Sequence, residues 1–323
     1  MTTRREFLTT LSAVPFIGAI PAPANEDVRG PLRFGLITDV HQDIIPDASA
    51  RLAAFVEAMT REKVAFIAQL GDFCIPKEAN RGFYEVWERF SGPRYHVLGN
   101  HDMDGGFSRE QTVRYYGMPY RYYAFEQQGV RFLVLDGNDP GGTSQGYKRF
   151  IAKDQADWLR KQLMETKGPI VVLIHQPLDQ ASGVDNFAEV SQLLKGEPGA
   201  RPNILAVFSG HLHQDYHRPV DGVNHVQLNS ASYYWMGGKY NHRSYDEAAH
   251  ARSPYLQSTC PYEGPLWAVV TIDLAKGSMT VEGTKTVWLG GSPWDVGATL
   301  QSHDEKVIHP AISSRAISIT RNA

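Results

Sequence analysis

Apolar positions along this chain fall into short runs of strand length, separated by stretches where they recur with helical period. The first run, residues 32–40, ends in Asp39-Val40 and is followed at once by His41. Over 46–63, Ala50, Leu52, Ala53, Phe55, Val56 and Met59 keep helical spacing and predict an amphipathic helix. A second run at 64–70 ends in Gly71-Asp72, and a helix is predicted over 79–91 with Phe83, Val86, Trp87 and Phe90 on one face. The third run, from Tyr95, ends in Gly99-Asn100-His101-Asp102. Ser108 is placed to cap a short helix over 107–116. Residues 120–125 and 130–135 alternate around Gln127-Gln128-Gly129 and read as a hairpin. The alternation continues through a turn-rich loop at 137–146, a helix from Asp154 through Leu163, and a run at 169–174 ending at His175. A helix over about 185–195 and a run at 203–209 ending in Gly210-His211-Leu212-His213 complete it.

Beyond this point the pattern changes to paired strands. Residues 216–219 and 223–228 flank Asp221-Gly222, a favoured hairpin turn. Residues 266–272 and 279–286 flank Ala275-Lys276-Gly277. Repeated strand–helix–strand units imply right-handed crossovers and a largely parallel inner sheet, and the later hairpins imply a second, antiparallel portion. Residues 233–264 fit neither period, yet carry Tyr233, Tyr234, Trp235, Tyr240, Tyr245, Tyr255 and Tyr262 among basic residues. So long an irregular connection, so rich in aromatics, reads as a functional loop and is a candidate substrate-recognition segment. The tail beyond Ser292 is polar and weakly patterned.

Composition adds limits. With 323 residues, 42% hydrophobic and 21% charged, the chain is ordinary globular material with ample length for a core. A net charge of −3 with no run of Lys or Arg disfavours extended nucleic acid as a partner. Arg4-Arg5 before Phe7-Leu8, a short apolar stretch to Ile20 and Ala22-Pro23-Ala24 have the layout of a twin-arginine export signal over residues 1–24. The apolar part, about a dozen residues, falls short of the roughly 20 a membrane span needs. The expectation is an exported, periplasmic or envelope protein, cleaved near Ala24 after contact with the twin-arginine machinery, with residues 25–323 as one domain. Cys74 and Cys260 leave a single disulfide open and exclude Cys-x-x-Cys zinc sites.

The strand ends carry the chemistry. Asp39 and His41, Asp72, Asn100 and His101, His175, and His211 and His213 each follow an apolar run directly. In an open α/β sheet the carboxyl ends of strands form the ligand-binding rim, so these side chains converge. Of twelve histidines, five sit at these ends. Four imidazoles besides His101, two carboxylates and an amide suffice for two divalent ions sharing one carboxylate. That mixture suits Mn, Fe or Zn better than Ca. No activated Ser or Cys and no Walker-type glycine loop is present.

Asp39-Val40-His41, Gly71-Asp72, Gly99-Asn100-His101-Asp102, His175 and Gly210-His211-Leu212-His213 together resemble the five ordered motifs of calcineurin-like metallophosphoesterases. The resemblance implies an α/β fold, a four-layer sandwich of two mixed β-sheets flanked by helices. It implies one metal on Asp39, His41 and His213, another on Asn100, His175 and His211, and Asp72 bridging. It further implies that His101 meets the leaving-group or a phosphoryl oxygen, with Asp102 orienting it. Gly71-Asp72-Phe73-Cys74 lacks the tyrosine of the purple acid phosphatase branch. Residues 120–136 are similar to the manganese-dependent ADP-ribose/CDP-alcohol diphosphatase subgroup, which favours Mn. The implied function is hydrolysis, by a hydroxide held at two metals, of a phosphodiester or pyrophosphate in a small nucleotide-like or alcohol-phosphate substrate. A broad exported phosphomonoesterase, or a non-catalytic metal-binding envelope protein, is the alternative.

Overall fold

The computed structural model describes residues 30–319 apart from Pro198; the signal-like residues 1–24 lie outside that range. Chain order runs β1 Leu32–Ile37, α1 Ala48–Arg61, β2 Phe66–Gln69, α2 Arg81–Glu88, β3 Arg94–His96, α3 Arg109–Tyr115, β4 Tyr123–Gln127, β5 Val130–Val134, α4 Lys153–Glu165, β6 Ile170–Leu173, α5 Phe187–Lys195 and β7 Ile204–Ser209. Then follow β8 Tyr216–Val220, β9 Val223–Gln227, β10 Tyr233–Trp235, α6 Glu247–Arg252, β11 Thr259–Pro261, β12 Ala268–Asp273, β13 Ser278–Gly283 and β14 Arg315–Ser318. Each helix expected up to residue 195 forms, with bounds within a few residues of the periodic stretch. Ser108 caps α3 through a reciprocal pair with Gln111, whose backbone N–H it accepts and whose side chain accepts from its own N–H.

Two six-stranded mixed sheets make the body, in the orders β14-β13-β12-β1-β2-β3 and β4-β5-β6-β7-β9-β8. The parallel strands are thus divided between both sheets, β1-β2-β3 in one and β5-β6-β7-β9 in the other. The late hairpins do not form a separate antiparallel portion, as the pattern implied. The β8–β9 hairpin extends the second sheet and β12–β13 extends the first beside β1. Hydrophobic pattern reports that a strand is buried, not which sheet receives it.

Between the sheets, Phe34, Phe66, Phe125 and Phe132 pack ring on ring, with centroids 4.7 Å apart for Phe34–Phe66 and 4.8 Å for Phe125–Phe132. On β5, Phe132 and Val134 face that layer while Leu133 points outward, where with Leu135 it meets Leu159, Leu163, Val190 and Leu194 of α4 and α5. Burial on both faces is why these strands read as continuous apolar runs. Residues 233–264 are not irregular throughout: β10 and β11 form a two-stranded ribbon, and α6 is capped by Asp246. Strands of three residues are too short for a period to show. The tail also gains order, since β14 pairs with β13 at the sheet edge. Cys74 and Cys260 are free thiols, both buried. No helix among the described residues is long and apolar enough to cross a membrane.

Candidate metal centre

The carboxyl ends of β1, β2, β3, β6 and β7 meet where the two sheets abut. Backbone bonds sew the loops together: Asp39 N–H donates to Gly71 O at 3.0 Å, His41 N–H to Asp72 O at 3.0 Å, and Gly210 N–H to His175 O at 3.0 Å. The chain turns sharply at the side chains themselves. Among the described residues eight non-glycine positions have positive φ, and Asp39, His41, Asp72, His211 and His213 are five of them. Left-handed backbone at such residues costs on the order of 1–3 kcal/mol each, so strain is concentrated at this rim. The glycines before them answer to space. A Cβ on Gly99 would land on the backbone N and carboxylate of Asp72, and one on Gly210 would strike Thr38 and Asp39.

Two donor clusters result. Asp39, His41 and His213 form one; Asp72, His175 and His211 form the other. His213 Nε2 lies 3.1 Å from Asp39 Oδ1 and 3.3 Å from His41 Nε2, and His211 Nδ1 lies 3.3 Å from His175 Nε2. Asp72 sits between the clusters. Its Oδ1 accepts the His101 N–H at 2.8 Å, leaving Oδ2 3.1 Å from His175 Nε2 and 3.7 Å from His41 Nε2. His175 Nδ1–H donates to Leu70 O at 2.8 Å, which fixes its tautomer and turns Nε2 inward. The Asn100 Oδ1 is buried without a hydrogen-bond partner. An orphaned buried carbonyl oxygen costs free energy unless something accepts its lone pair, and a cation does so.

Electrostatics point the same way. Burial alone would raise the Asp39 and Asp72 pKa values, yet His213 and His175 beside Asp39, and His175 and His101 beside Asp72, hold both carboxylates well below their usual range. Burial would depress His175, but Asp72 and Asp39 lift it to about 9. Burial takes His41 and His211 down to about 3 each. Two buried anions thus stand among neutral imidazoles and one that holds a proton where a metal would serve. A donor set of imidazole, carboxylate and amide oxygen with an unpaired Asn100 fits a pair of divalent ions.

Each residue named from the sequence is at this rim except for one orientation. Asp102, expected to orient His101, faces the other way and accepts the Phe73 and Gly99 N–H groups at 2.7 and 2.8 Å. Burial and nearby Asp72 push its pKa up to about 7. The partner of His101 is Asp104, whose Oδ2 lies 2.7 Å from His101 Nδ1. A break in the helical turn at Asp104 and Gly105, φ 75°, brings that carboxylate back over the ring. Sequence reasoning also missed Tyr147, within hydrogen-bond reach of both, while Tyr233 of the aromatic segment 233–264 is buried with its ring 4.9 Å from His41 and 4.8 Å from His213. A lone tyrosine closing a glycine-rich loop was the available signal for Tyr147.

A model of the calcineurin-like phosphoesterase family matches residues 32–215, over half the chain. The chain belongs to that family. This calcineurin-like phosphoesterase is 25% identical over 288 residues to the manganese-dependent ADP-ribose/CDP-alcohol diphosphatase of Oryza sativa subsp. japonica, covering 66% of this chain and 87% of that protein. It is 25% identical over 277 residues to the Arabidopsis thaliana protein of the same name, covering 63% and 87%. Among solved structures, a dimetal phosphatase from Danio rerio superposes with TM-score 0.57 at 17% identity, over 80% of this chain and 99% of that one. GAP50, the anchor in the inner membrane complex of Plasmodium, gives 0.54 at 17% identity, over 91% and 90%. The calcineurin-like phosphoesterase is therefore a metal-dependent phosphoester hydrolase of mixed α/β fold.

Proposed function

We propose that this enzyme cleaves a phosphodiester or pyrophosphate linkage in a small nucleotide-like or alcohol-phosphate substrate at two divalent ions, with Mn favoured. The observation that carries the reading is Asp72 Oδ2, within 3.1 Å of a donor in one cluster and 3.7 Å of a donor in the other. Asp39, His41 and His213 would hold one ion, Asn100, His175 and His211 the second, and Asp72 both. Two such ions, when bound, supply a nucleophile at neutral pH and neutralise charge on the phosphoryl oxygens. His101, whose N–H donates to Asp72 Oδ1, would meet the leaving-group oxygen. The names of the plant relatives support the manganese and the diphosphate class.

An aromatic rim supports a substrate with a planar base. Trp235 is 44% exposed and Tyr255 is 67% exposed, with ring centroids 6.5 Å apart. Both belong to the segment proposed to select substrate. Tyr234, by contrast, packs against His303, and the Lys239 ammonium lies 5.1 Å from the Tyr240 ring centroid. Base stacking is worth on the order of 1–3 kcal/mol. A Trp235→Ala/Tyr255→Ala double variant is expected to raise KM for ADP-ribose about tenfold or more while leaving 4-nitrophenyl phosphate within about twofold. Steady-state kinetics with added Mn²⁺ check this, and equal effects on both substrates would remove the rim from recognition. Export remains a proposal carried by Arg4-Arg5 and Ala22-Pro23-Ala24. N-terminal sequencing of protein from the envelope fraction should begin near Asn25, and an intact Met1 there would overturn it.

A further inference from the structure

His101 is held by more than its neighbour in sequence. The loop between β5 and α4 folds over the rim, and near its end Tyr147 reaches His101 from the solvent side. The Tyr147 hydroxyl lies 3.0 Å from His101 Nδ1 and 2.9 Å from Asp104 Oδ1, and the two rings stand 4.6 Å apart. Burial and the bond to Asp104 push the phenol pKa up, so the hydroxyl keeps its proton and donates to Asp104. Asp104 Oδ2 in turn accepts His101 Nδ1–H. His101 Nε2 makes no hydrogen bond among the described residues. One ring nitrogen is committed and the other is left for substrate.

The loop is braced on both sides of this tyrosine. Ser144 N–H donates to Asp185 at 2.8 Å, Arg149 Nε to Ser144 Oγ at 2.9 Å, and Arg149 Nη1 to Ser182 O at 2.8 Å. At the base, Phe150 N–H donates to Gly137 O at 2.9 Å and Asp139 N–H to Phe150 O at 3.0 Å. Tyr147 is nevertheless 43% exposed, and its phenol feels that of Tyr255 on the aromatic rim. It touches His101 and Asp104 on one side and presents its ring to solvent on the other.

We propose that Tyr147 is a positioning residue for His101 and a part of the substrate rim at once. Its hydroxyl, with Asp104, keeps the imidazole in the Nδ1–H form with Nε2 toward the reacting phosphoryl group, and its exposed ring face seats the substrate. The proposal rests on the hydrolytic reading above. In the step it serves, His101 enters protonated on both ring nitrogens. A water oxygen bonds to phosphorus and sheds a proton to solvent as the P–O bond to the leaving oxygen breaks with its electron pair. That oxygen takes the Nε2 proton, leaving the ring in the neutral Nδ1–H form on Asp104.

The two halves of the side chain separate by substitution. With Mn²⁺-loaded full chain, Tyr147→Phe keeps the ring and loses the hydroxyl. Its kcat is expected to fall about 30-fold or more on esters of poorly acidic alcohols but only about threefold on 2,4-dinitrophenyl esters, since general-acid help is worth on the order of 10²–10⁴-fold where the leaving group needs a proton. Its KM for ADP-ribose stays put. Tyr147→Ala adds a rise of about tenfold in that KM, as a lost stacking face implies. Asp104→Asn follows Tyr147→Phe in leaving-group dependence, with partial rescue by Asp104→Glu. In Zn²⁺-loaded protein, ¹⁵N NMR reads the His101 tautomer as Nδ1–H, turning to a mixture in Asp104→Asn and Tyr147→Phe. Uniform losses across leaving groups with an unchanged tautomer would overturn the positioning role and leave Tyr147 as a loop brace. If no phosphate ester is turned over by the unsubstituted protein, the hydrolytic reading fails. The tautomer measurement then still decides whether Tyr147 orients His101.

Discussion

Asp72→Asn is expected to lower phosphoester hydrolysis about a thousandfold or more, because two ions held there, as proposed, would contribute several kcal/mol to the reaction. The carboxylate is committed at both oxygens. Oδ1 accepts the His101 N–H at 2.8 Å, and Oδ2 stands 3.1 Å from His175 Nε2 and 3.7 Å from His41 Nε2. An amide carries one acceptor and one donor, so either the His101 N–H or the metal side would face an NH₂ group. Elemental analysis should find less than one ion per chain. A variant keeping two ions and full rate would overturn the bridging assignment. The same residue sets the pH dependence of loading. Burial alone would lower the His175 pKa, and Asp72 leads the groups that raise it to about 9. The folded value lies above the ordinary 6.5, so in metal-free protein this pair stabilises below about pH 6.5 and the contribution is lost as pH rises through about 9. An ion must displace that proton, so Mn²⁺ affinity should rise with pH across this window. Calorimetry in buffers of different ionisation enthalpy should register proton release, and pH-independent affinity would contradict it.

The second large effect lies outside the donor set. Asp215, just past His213, is fully buried and holds the tail: Arg315 Nη2 approaches its Oδ1 at 2.8 Å, while His309 Nε2 and the Ser313 N–H reach Oδ2 at 3.1 and 3.0 Å. Burial would raise its pKa, but His309, Ser313 and Arg315 hold it below the carboxylate range. Asp215 N–H donates to Val307 O at 2.8 Å as well. Removing the carboxylate leaves Arg315, His309 and the Ser313 N–H partly buried without their partner, so Asp215→Ala is expected to cost about 2 kcal/mol in denaturant unfolding. Hydrogen exchange should rise first over 303–319, and Mn²⁺ affinity should weaken about tenfold or more as the His213 loop loosens. Unchanged protection of the tail would show that Asp215 does not anchor it.

Much of the centre was legible because its residues are tied to strand ends. Asp39, His41, Asp72, Asn100, His175, His211 and His213 follow apolar runs so closely that the strands deliver them to one rim. Asp102 was misplaced for an instructive reason. The family motif made it the expected partner of His101, but at that point the backbone turns helically and Asp102 points into the core toward Gly99 and Phe73. Asp104, two residues on, returns because the turn breaks there. The tail's attachment is made of scattered contacts: the edge strand β14, the buried Asp215, an Asn229 side chain donating to His309 O, and backbone bonds such as Ile312 N–H to Thr284 O. None leaves a period.

By itself the sequence determined which side chains cluster, since hydrophobic periodicity selects strands and parallel crossovers bring their carboxyl ends to one edge. It also carried the family resemblance, in the order of five motifs at those strand ends. Only the tertiary structure decided how the strands divide between two sheets, that Asp104 and Tyr147 rather than Asp102 hold His101, and that a distant tail braces the His213 loop. The reason is physical. Burial and period are properties of a strand alone, whereas a hydrogen bond between residues 101 and 147, or 215 and 309, depends on loop paths that no local pattern encodes.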